Sequence, residues 1–228
     1  MSINQPAYLP WLGYFDRIAK SDLHIVLDDV KIERNTKTSF TNRNKFRTVQ
    51  GWSWLTVPVC RGDKPEDEII YNVKTNNQPW QKKHFRSLSQ SYSRTPHYLE
   101  HQHWLESFYE QQWTQLAPML KESTEYILDV LKIKTPLLYS SEMNVGGHKS
   151  ELVLNYCKEV GANTYISGPF GRDYLDLESF SEAKIDVEFS EYIHPEYKQY
   201  HGEFIPYMSI IDLIFNHGPD SQNILMSK

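Results

Sequence analysis

The sequence predicts an α/β fold built around a small, mostly parallel β-sheet. Residues 3–5 have the pattern of a short strand, residues 11–20 that of an amphipathic helix and residues 23–27 that of a buried strand, which together make a βαβ unit. Strand and helix patterns alternate again after residue 134. Because parallel strands need a crossover between them, usually a helix, this alternation favours a Rossmann-like sheet.

An inserted helical layer is expected between the two alternating halves. Residues 79–93, 96–115 and 117–132 each have a proline in the first turn of the predicted helix, where its missing N–H is tolerated. We therefore expect a helical subdomain at about residues 79–132, within a single domain that spans residues 1–228.

The remaining segments are assigned from their local pattern. Residues 31–50 are polar and basic without a clear period, which predicts a long functional loop. Strands are expected at residues 52–59 and 68–73. In the second half of the chain we expect strands at residues 135–140, 163–167 and 185–189, and helices at residues 148–160 and 208–216.

The composition excludes several classes of protein. The 228 residues are 39% apolar and 14% aromatic, which is typical of a folded domain rather than of a disordered chain. No apolar run approaches the ~20 residues of a membrane helix, and the N-terminus lacks a signal-peptide pattern. Two cysteines, Cys60 and Cys157, make no disulfide framework. A cytoplasmic protein without a membrane span is expected.

The charge is distributed unevenly along the chain. Residues 31–94 carry 13 Lys and Arg against five acidic residues, although the whole chain has a net charge of −5. A long nucleic acid would be repelled by the acidic remainder, so a small phosphorylated ligand such as a nucleotide-sugar suits this split better. A solvated basic face without a ligand is the alternative.

Polar residues follow the predicted strands at positions where a parallel sheet would bring them together. The first strand leads into residues 5–11, the second into Asp28 and Asp29, and later strands into Ser140 and into residues 167–174. Ligands of open α/β sheets bind outside the carboxyl ends of the strands. The sequence therefore predicts a site at this edge.

The N-terminal segment and the acidic pair supply the first candidates. Gln5 has an amide that can read a polar edge of a ligand, and Tyr8 and Trp11 have rings that can stack on a base or a sugar, although a packed N-terminal anchor is the alternative. Asp28 or Asp29 can hold a metal, orient a ribose or act as a base. Since neighbouring side chains of a strand point to opposite faces, we expect one carboxylate at most to face the site.

Basic side chains supply candidates for binding an anion. Arg43, Asn44 and Lys45 can clamp a phosphate, with Lys82 and His84 adding to the same region. Gly168 and its neighbours allow backbone N–H groups to approach an anion near Arg172, although an ordinary turn between strand and helix is the alternative.

Histidines supply the last candidates. His194 lies just after a predicted strand and suits a general base near neutral pH. The histidines at positions 97, 101 and 103 do not have a metal-binding spacing, so we predict no metal site, and no cofactor is assigned. Hydrolase motifs are absent from the sequence.

Several sequence blocks resemble the WbqC-like family of bacterial proteins. They are QPAYLPWLGYFDRIAKSDLHIVLDDV, TNRNKF, WSWLTVPV, PWQKKHFRSLSQSY, KSELVLNYCKEVGANTYISGPFGRDYL and HPEYKQYHGEFIPYMSIIDLIFNHG. The resemblance covers nearly the whole chain. The motif positions it carries over are Gln5, Tyr8, Pro10, Trp11, Asp28, Asp29, Arg43, Asn44, Lys82, His84, Gly168, Tyr174, His194, Tyr197, Gln199, Asp212 and Asn216.

The resemblance implies a role in O-antigen or other surface-polysaccharide biosynthesis. The implied reaction is glycyl or acyl transfer onto a nucleotide-linked amino sugar. In such a reaction we expect His194, Asp28 or Asp29 to accept the proton of the attacking amine. The acyl donor is not readable, and aminoacyl-tRNA is compatible with the basic segment. Two other hypotheses stay open: an ATP-dependent carboxylate–amine ligase of Rossmann-like type, and a non-catalytic scaffold.

A homodimer is a further open question. Trp104, Phe108 and Trp113 in the helical layer would suit either a dimer interface or core packing.

Overall fold

The computed structural model describes residues 1–34 and 39–227. Its strands are β1 (Ser2–Asn4), β2 (His24–Val26), β3 (Arg43–Thr48), β4 (Gly51–Thr56), β5 (Leu137–Tyr139), β6 (Thr164–Ser167) and β7 (Asp186–Phe189). Its α-helices are α1 (Leu12–Ala19), α2 (Trp80–Tyr92), α3 (Tyr98–Glu110), α4 (Leu116–Val130), α5 (Ser150–Glu159), α6 (Leu177–Glu182), α7 (Ile210–His217) and α8 (Ser221–Leu225).

The central sheet has five strands, all parallel, in the order β5-β2-β1-β6-β7. The predicted α/β class and its parallel sheet are therefore confirmed. From β1 the strands step outward to β2 and β5 on one side, whereas β6 and β7 continue on the other. The winding direction thus changes between β1 and β6, which is the position where open α/β sheets form a ligand crevice.

Helices cover both faces of the sheet. On one face, α1 buries Leu12, Phe15 and Ile18 in a large core that continues into α7 and the helical layer. On the other face, Ile3 and Ile25 pack with side chains of α5 and α6.

The helical layer follows the prediction closely. Helices α2, α3 and α4 occupy residues 80–130. Phe108 is fully buried, Trp104 stacks on Tyr126 with ring centroids 3.8 Å apart, and Trp113 donates its indole N–H to the Phe108 carbonyl. These aromatic side chains pack within the layer, so they do not supply an argument for a dimer.

Two predictions about local structure were wrong. Residues 43–48 do not form a loop but form β3, which pairs antiparallel with β4. Phe46 is buried, and Arg43 and Lys45 lie over tryptophan rings instead of being solvated. Residues 35–38 of that predicted loop lie outside the described residues. The strand expected at residues 68–73 is a pair of 3₁₀ turns, because burial of Ile70 and Val73 at three-residue spacing suits a helical turn.

None of the helices in residues 1–34 and 39–227 combines the length and the apolar composition needed to cross a membrane.

Candidate functional site

Asp28 and Asp29, at the end of β2, are tied to the end of β5. Ser140 donates its hydroxyl toward both carboxylates, at 3.0 Å to Asp28 and 2.7 Å to Asp29. Ser141 adds bonds to Asp28 from its backbone N–H and its hydroxyl. The expectation that the two carboxylates face opposite ways was wrong, because both residues lie beyond the last residue of the strand. Their contacts join two neighbouring strand ends.

Replacing Ser140 by Ala is expected to destabilise the fold by about 2–3 kcal/mol. The Ser140 hydroxyl is fully buried and also accepts from the backbone N–H groups of Asp28 and Asp29. The variant would leave the Asp29 N–H without an acceptor, whereas the Asp28 N–H also reaches the Val26 carbonyl at 3.1 Å. Urea unfolding measures the change. Ser141→Ala is the control, because Ser141 is exposed and its hydroxyl makes one bond. Equal stabilities of the two variants would contradict this role.

The N-terminal segment after β1 is held in the interior by hydrogen bonds. Tyr8 is fully buried, and its hydroxyl meets His84 Nδ1 at 3.0 Å and the hydroxyl of Tyr109. Burial lowers the pKa of His84 to about 4. Asn44 donates to the carbonyl of Leu9 at 2.6 Å. The structure thus brings Tyr8, His84 and Asn44 together as buried neighbours.

Four aromatic rings form a continuous row along the hairpin of β3 and β4. Successive centroid distances in this aromatic row are 5.0, 6.0 and 5.8 Å. Its members, in spatial order, are Trp11, Phe40, Trp54 and Trp52. Arg43 lies 4.5 Å over the ring of Trp54, and Lys45 lies 4.4 Å over that of Trp52. The rings of Trp54 and Trp52 are therefore each covered by a cation on one side.

The sequence pattern behind this row led only to the prediction of a strand at residues 52–59. The tryptophans at positions 52 and 54 lie two residues apart, as do the cations at positions 43 and 45, so each pair shares one face of its strand. Antiparallel pairing places Lys45 opposite Trp54. Phe40 had no recognisable signal.

A buried polar cluster joins the hairpin to α7. Arg47 donates to the Gln199 side chain at 3.1 Å, and Asp212 Oδ2 accepts from Tyr197 and from Gln199, each at 2.9 Å. Burial raises the pKa of Asp212, partly opposed by these donors. Asn216 donates to the Asp212 carbonyl at 2.7 Å. Tyr197, Gln199, Asp212 and Asn216, all expected in the site, are thus brought together and anchor the segment between β7 and α7.

His194 lies on the segment that the polar cluster anchors. Its Nδ1 is 2.8 Å from the Pro195 carbonyl, and its Nε2 is sealed from solvent with no partner among the described residues. Aromatic rings surround it at centroid distances between 5.4 and 6.1 Å: Tyr192, Tyr197, Phe204 and Tyr207. Burial lowers the pKa of His194, so the neutral ring donates from Nδ1 and leaves Nε2 as an acceptor enclosed by these rings.

The edge of the sheet near β6 contains a side chain that the sequence interpretation missed. A Cβ atom at Gly168 would overlap Arg17 Nη1, so the glycine leaves room for a guanidinium. Arg17 looked like an ordinary cation of an amphipathic helix, yet it is 8% exposed. Arg172 instead pairs with Glu191 at 2.9 Å, and Tyr174 is 44% exposed.

The remaining candidates are less constrained. Gln5 is half-buried just beyond β1. Lys82 is exposed on α2 and makes no hydrogen bond or ion pair with the described residues.

Trp11 and His194 are linked through α1 and the segment after β7. A Cβ atom at Gly13 would lie 3.0 Å from Tyr192 and 3.3 Å from Trp11 Nε1. Trp11 also forms an antiparallel bridge with Ser209, at the start of α7. The inner end of the aromatic row therefore lies in the same neighbourhood as the segment that carries His194.

The parallel sheet, its winding reversal and its helix-covered faces define a doubly wound α/β protein. The chain belongs to the WbqC-like protein family, whose model matches residues 5–224. It is 36% identical over 227 residues to the uncharacterized protein Rv1507c of Mycobacterium tuberculosis, covering 99% of this chain and 96% of that protein. No solved structure matches the chain.

Proposed function

We propose that the protein is a transferase that forms an amide on the amino group of a nucleotide-linked sugar, for surface-polysaccharide biosynthesis. The observation that carries the proposal is the aromatic row with Arg43 and Lys45 over its rings. Aromatic faces stack on bases and on the apolar faces of sugars, and interleaved cations suit a diphosphate between them. The family resemblance supports the same class of substrate.

His194 is the proposed general base. An amine must be neutral to attack an acyl carbonyl, and a neutral imidazole with a free Nε2 lone pair can accept the proton that the nitrogen loses. The new C–N bond forms as the bond from the acyl carbon to the donor's leaving group breaks. The leaving group departs with that electron pair and takes up a proton. The hydrogen-bonded positions of Asp28 and Asp29 favour His194 over either carboxylate.

The proposal includes a cellular location and a class of acyl donor. A cytoplasmic location fits two cysteines that form no disulfide. The acyl donor is an activated carboxylate, with aminoacyl-tRNA as one candidate because residues 31–94, which include the hairpin, have an excess of positive charge.

The proposal is tested by thermal unfolding with a UDP-linked amino sugar. At about 100 times its dissociation constant a ligand adds about 2.7 kcal/mol of stability, which raises the midpoint by several degrees. Trp52→Ala is expected to weaken binding about tenfold or more, because one stacking contact is worth about 1–3 kcal/mol.

The matched control is Tyr71→Ala, since Tyr71 is 41% exposed, similar to the 44% of Trp52, and lies outside the row. It is expected to bind like the wild type. Equal stabilisation of wild type and Trp52→Ala, or no stabilisation by any nucleotide-linked sugar, would contradict the proposal.

A further inference from the structure

Among the described residues, Arg17 is a buried cation with no hydrogen-bond or ion-pair partner. Its side chain is 8% exposed, and Nε is sealed from solvent without an acceptor. Neither a hydrogen bond nor an ion pair joins its guanidinium to any residue in 1–34 or 39–227. The neighbouring Asp16 pairs with Lys20 at 2.8 Å instead. Burying an uncompensated charge is unfavourable, so its presence calls for an explanation.

Arg17 occupies the position where the sheet changes its winding direction. Its guanidinium lies against Gly168, directly after β6, and β6 pairs with β1. Gly168 has a φ of −71°, which any residue can adopt, so its backbone does not require glycine. Glycine is needed at position 168 to leave space for the guanidinium, because a Cβ atom would overlap Arg17 Nη1.

The groups around Arg17 are tyrosine hydroxyls and the carboxylate of Asp16, which attracts its charge but pairs with Lys20. Arg17 lies close enough to Tyr14, Tyr165 and Tyr174 to oppose the rise that burial causes in the pKa of each hydroxyl. Tyr14 and Tyr165 are buried, whereas Tyr174 is 44% exposed and marks the approach from solvent. His24, also near Arg17, has a pKa lowered to about 3, mainly by burial, and adds no charge at neutral pH. The surroundings offer hydrogen-bond donors and one positive charge.

We infer that Arg17 is the anion-binding residue of a site between the carboxyl ends of β1 and β6, and that its ligand is a phosphate or diphosphate group. A guanidinium presents a planar fork of donors that matches the oxygens of a phosphate. The tyrosine hydroxyls provide further donors, which suits the three terminal oxygens of a phosphate better than the two of a carboxylate. This inference does not depend on the proposed transfer reaction.

The test is thermal unfolding of the full chain with inorganic pyrophosphate and, at equal ionic strength, with acetate. Pyrophosphate is expected to raise the midpoint of the wild type by several degrees, and acetate is not. Without ligand, Arg17→Met should be at least as stable as the wild type, because it removes an unpaired buried charge. Pyrophosphate should not raise the unfolding midpoint of this variant. The control Arg94→Gln removes an exposed cation and should keep the pyrophosphate shift.

Gly168→Ala separates binding from folding. The added methyl group would displace the flexible end of Arg17 and leave the charge in the molecule, so the fold should persist while the affinity for pyrophosphate falls at least tenfold. A pyrophosphate shift that survives in both Arg17→Met and Gly168→Ala overturns the inference. So does an Arg17→Met variant that fails to fold while Gly168→Ala binds like the wild type. An equal shift with acetate overturns the assignment to phosphate.

Discussion

Acidification from pH 7 to pH 4 is expected to remove most of the stability of the fold. His24 is fully buried with a pKa lowered to about 3, and His84 is 4% exposed with a pKa lowered to about 4. Burial, which disfavours the charged ring, is the main cause at both positions. In the unfolded chain both rings have a pKa of about 6.5.

The direction follows from these pKa values. Above pH ~6.5 both rings are neutral in the folded and the unfolded chain, so neither makes stability depend on pH. Below pH ~6.5, the two histidines bind protons in the unfolded chain but not in the folded chain. Each histidine then costs about 1.4 kcal/mol of stability per pH unit, or about 7 kcal/mol for the two at pH 4, which is comparable to the stability of a typical domain.

Urea unfolding between pH 7 and pH 4 measures this loss. His24→Gln removes one titrating group and keeps a hydrogen-bonding group toward Ser2, which lies 2.7 Å from His24 Nδ1 in the wild type. Its stability should therefore fall less steeply with pH. His103→Gln is the control, because His103 is exposed. An unchanged slope in His24→Gln would contradict a buried neutral ring at this position.

His194→Gln is expected to slow amide formation by about 10²–10⁴-fold, the usual contribution of a general base. The amide side chain has no basic lone pair comparable to Nε2. Because His194 touches no member of the aromatic row, the affinity for the nucleotide-linked sugar should stay close to that of the wild type. The readout is kcat and KM measured separately, with the loss confined to kcat.

The pH profile and a neighbouring variant strengthen the test. Since burial lowers the pKa of His194, protonation of this ring should reduce the rate only below pH ~6.5, whereas protonation of the attacking amine reduces it already at higher pH. Tyr207→Phe keeps the ring 5.4 Å from His194 and removes only the hydroxyl, so it should retain activity. A His194→Gln variant with normal kcat would exclude His194 as the base.

The parallel sheet and the helical layer could be predicted because their signals are local. Apolar periodicity and first-turn prolines marked α2, α3 and α4, and the N-terminal βαβ unit appeared as an uninterrupted pattern. The hairpin could not be predicted from the same rules. Its outer face carries Arg43 and Lys45, which look solvated in sequence, and only the pairing with β4 places them on tryptophan rings.

The candidate site could be predicted in part. The sequence identified His194 and, in the polar cluster, Tyr197, Gln199, Asp212 and Asn216, but not which contacts they make. Tyr8 was expected to stack on a ligand, and its full burial beside His84 depends on packing between distant segments. Arg17 was missed for the same reason, since nothing in α1 itself shows that Gly168 leaves room for its guanidinium.

The most direct test of the proposed function is mass spectrometry of the products formed from a nucleotide-linked amino sugar. The purified protein would be incubated with the sugar and, in separate reactions, with glycyl-tRNA, an acyl-coenzyme A, and glycine with ATP. We expect one donor to yield an N-acylated sugar nucleotide, at a rate sharply reduced in His194→Gln. Product from glycine and ATP alone would favour a ligase. No acylated product from any donor, with the sugar still bound, would contradict the transferase and leave a binding protein.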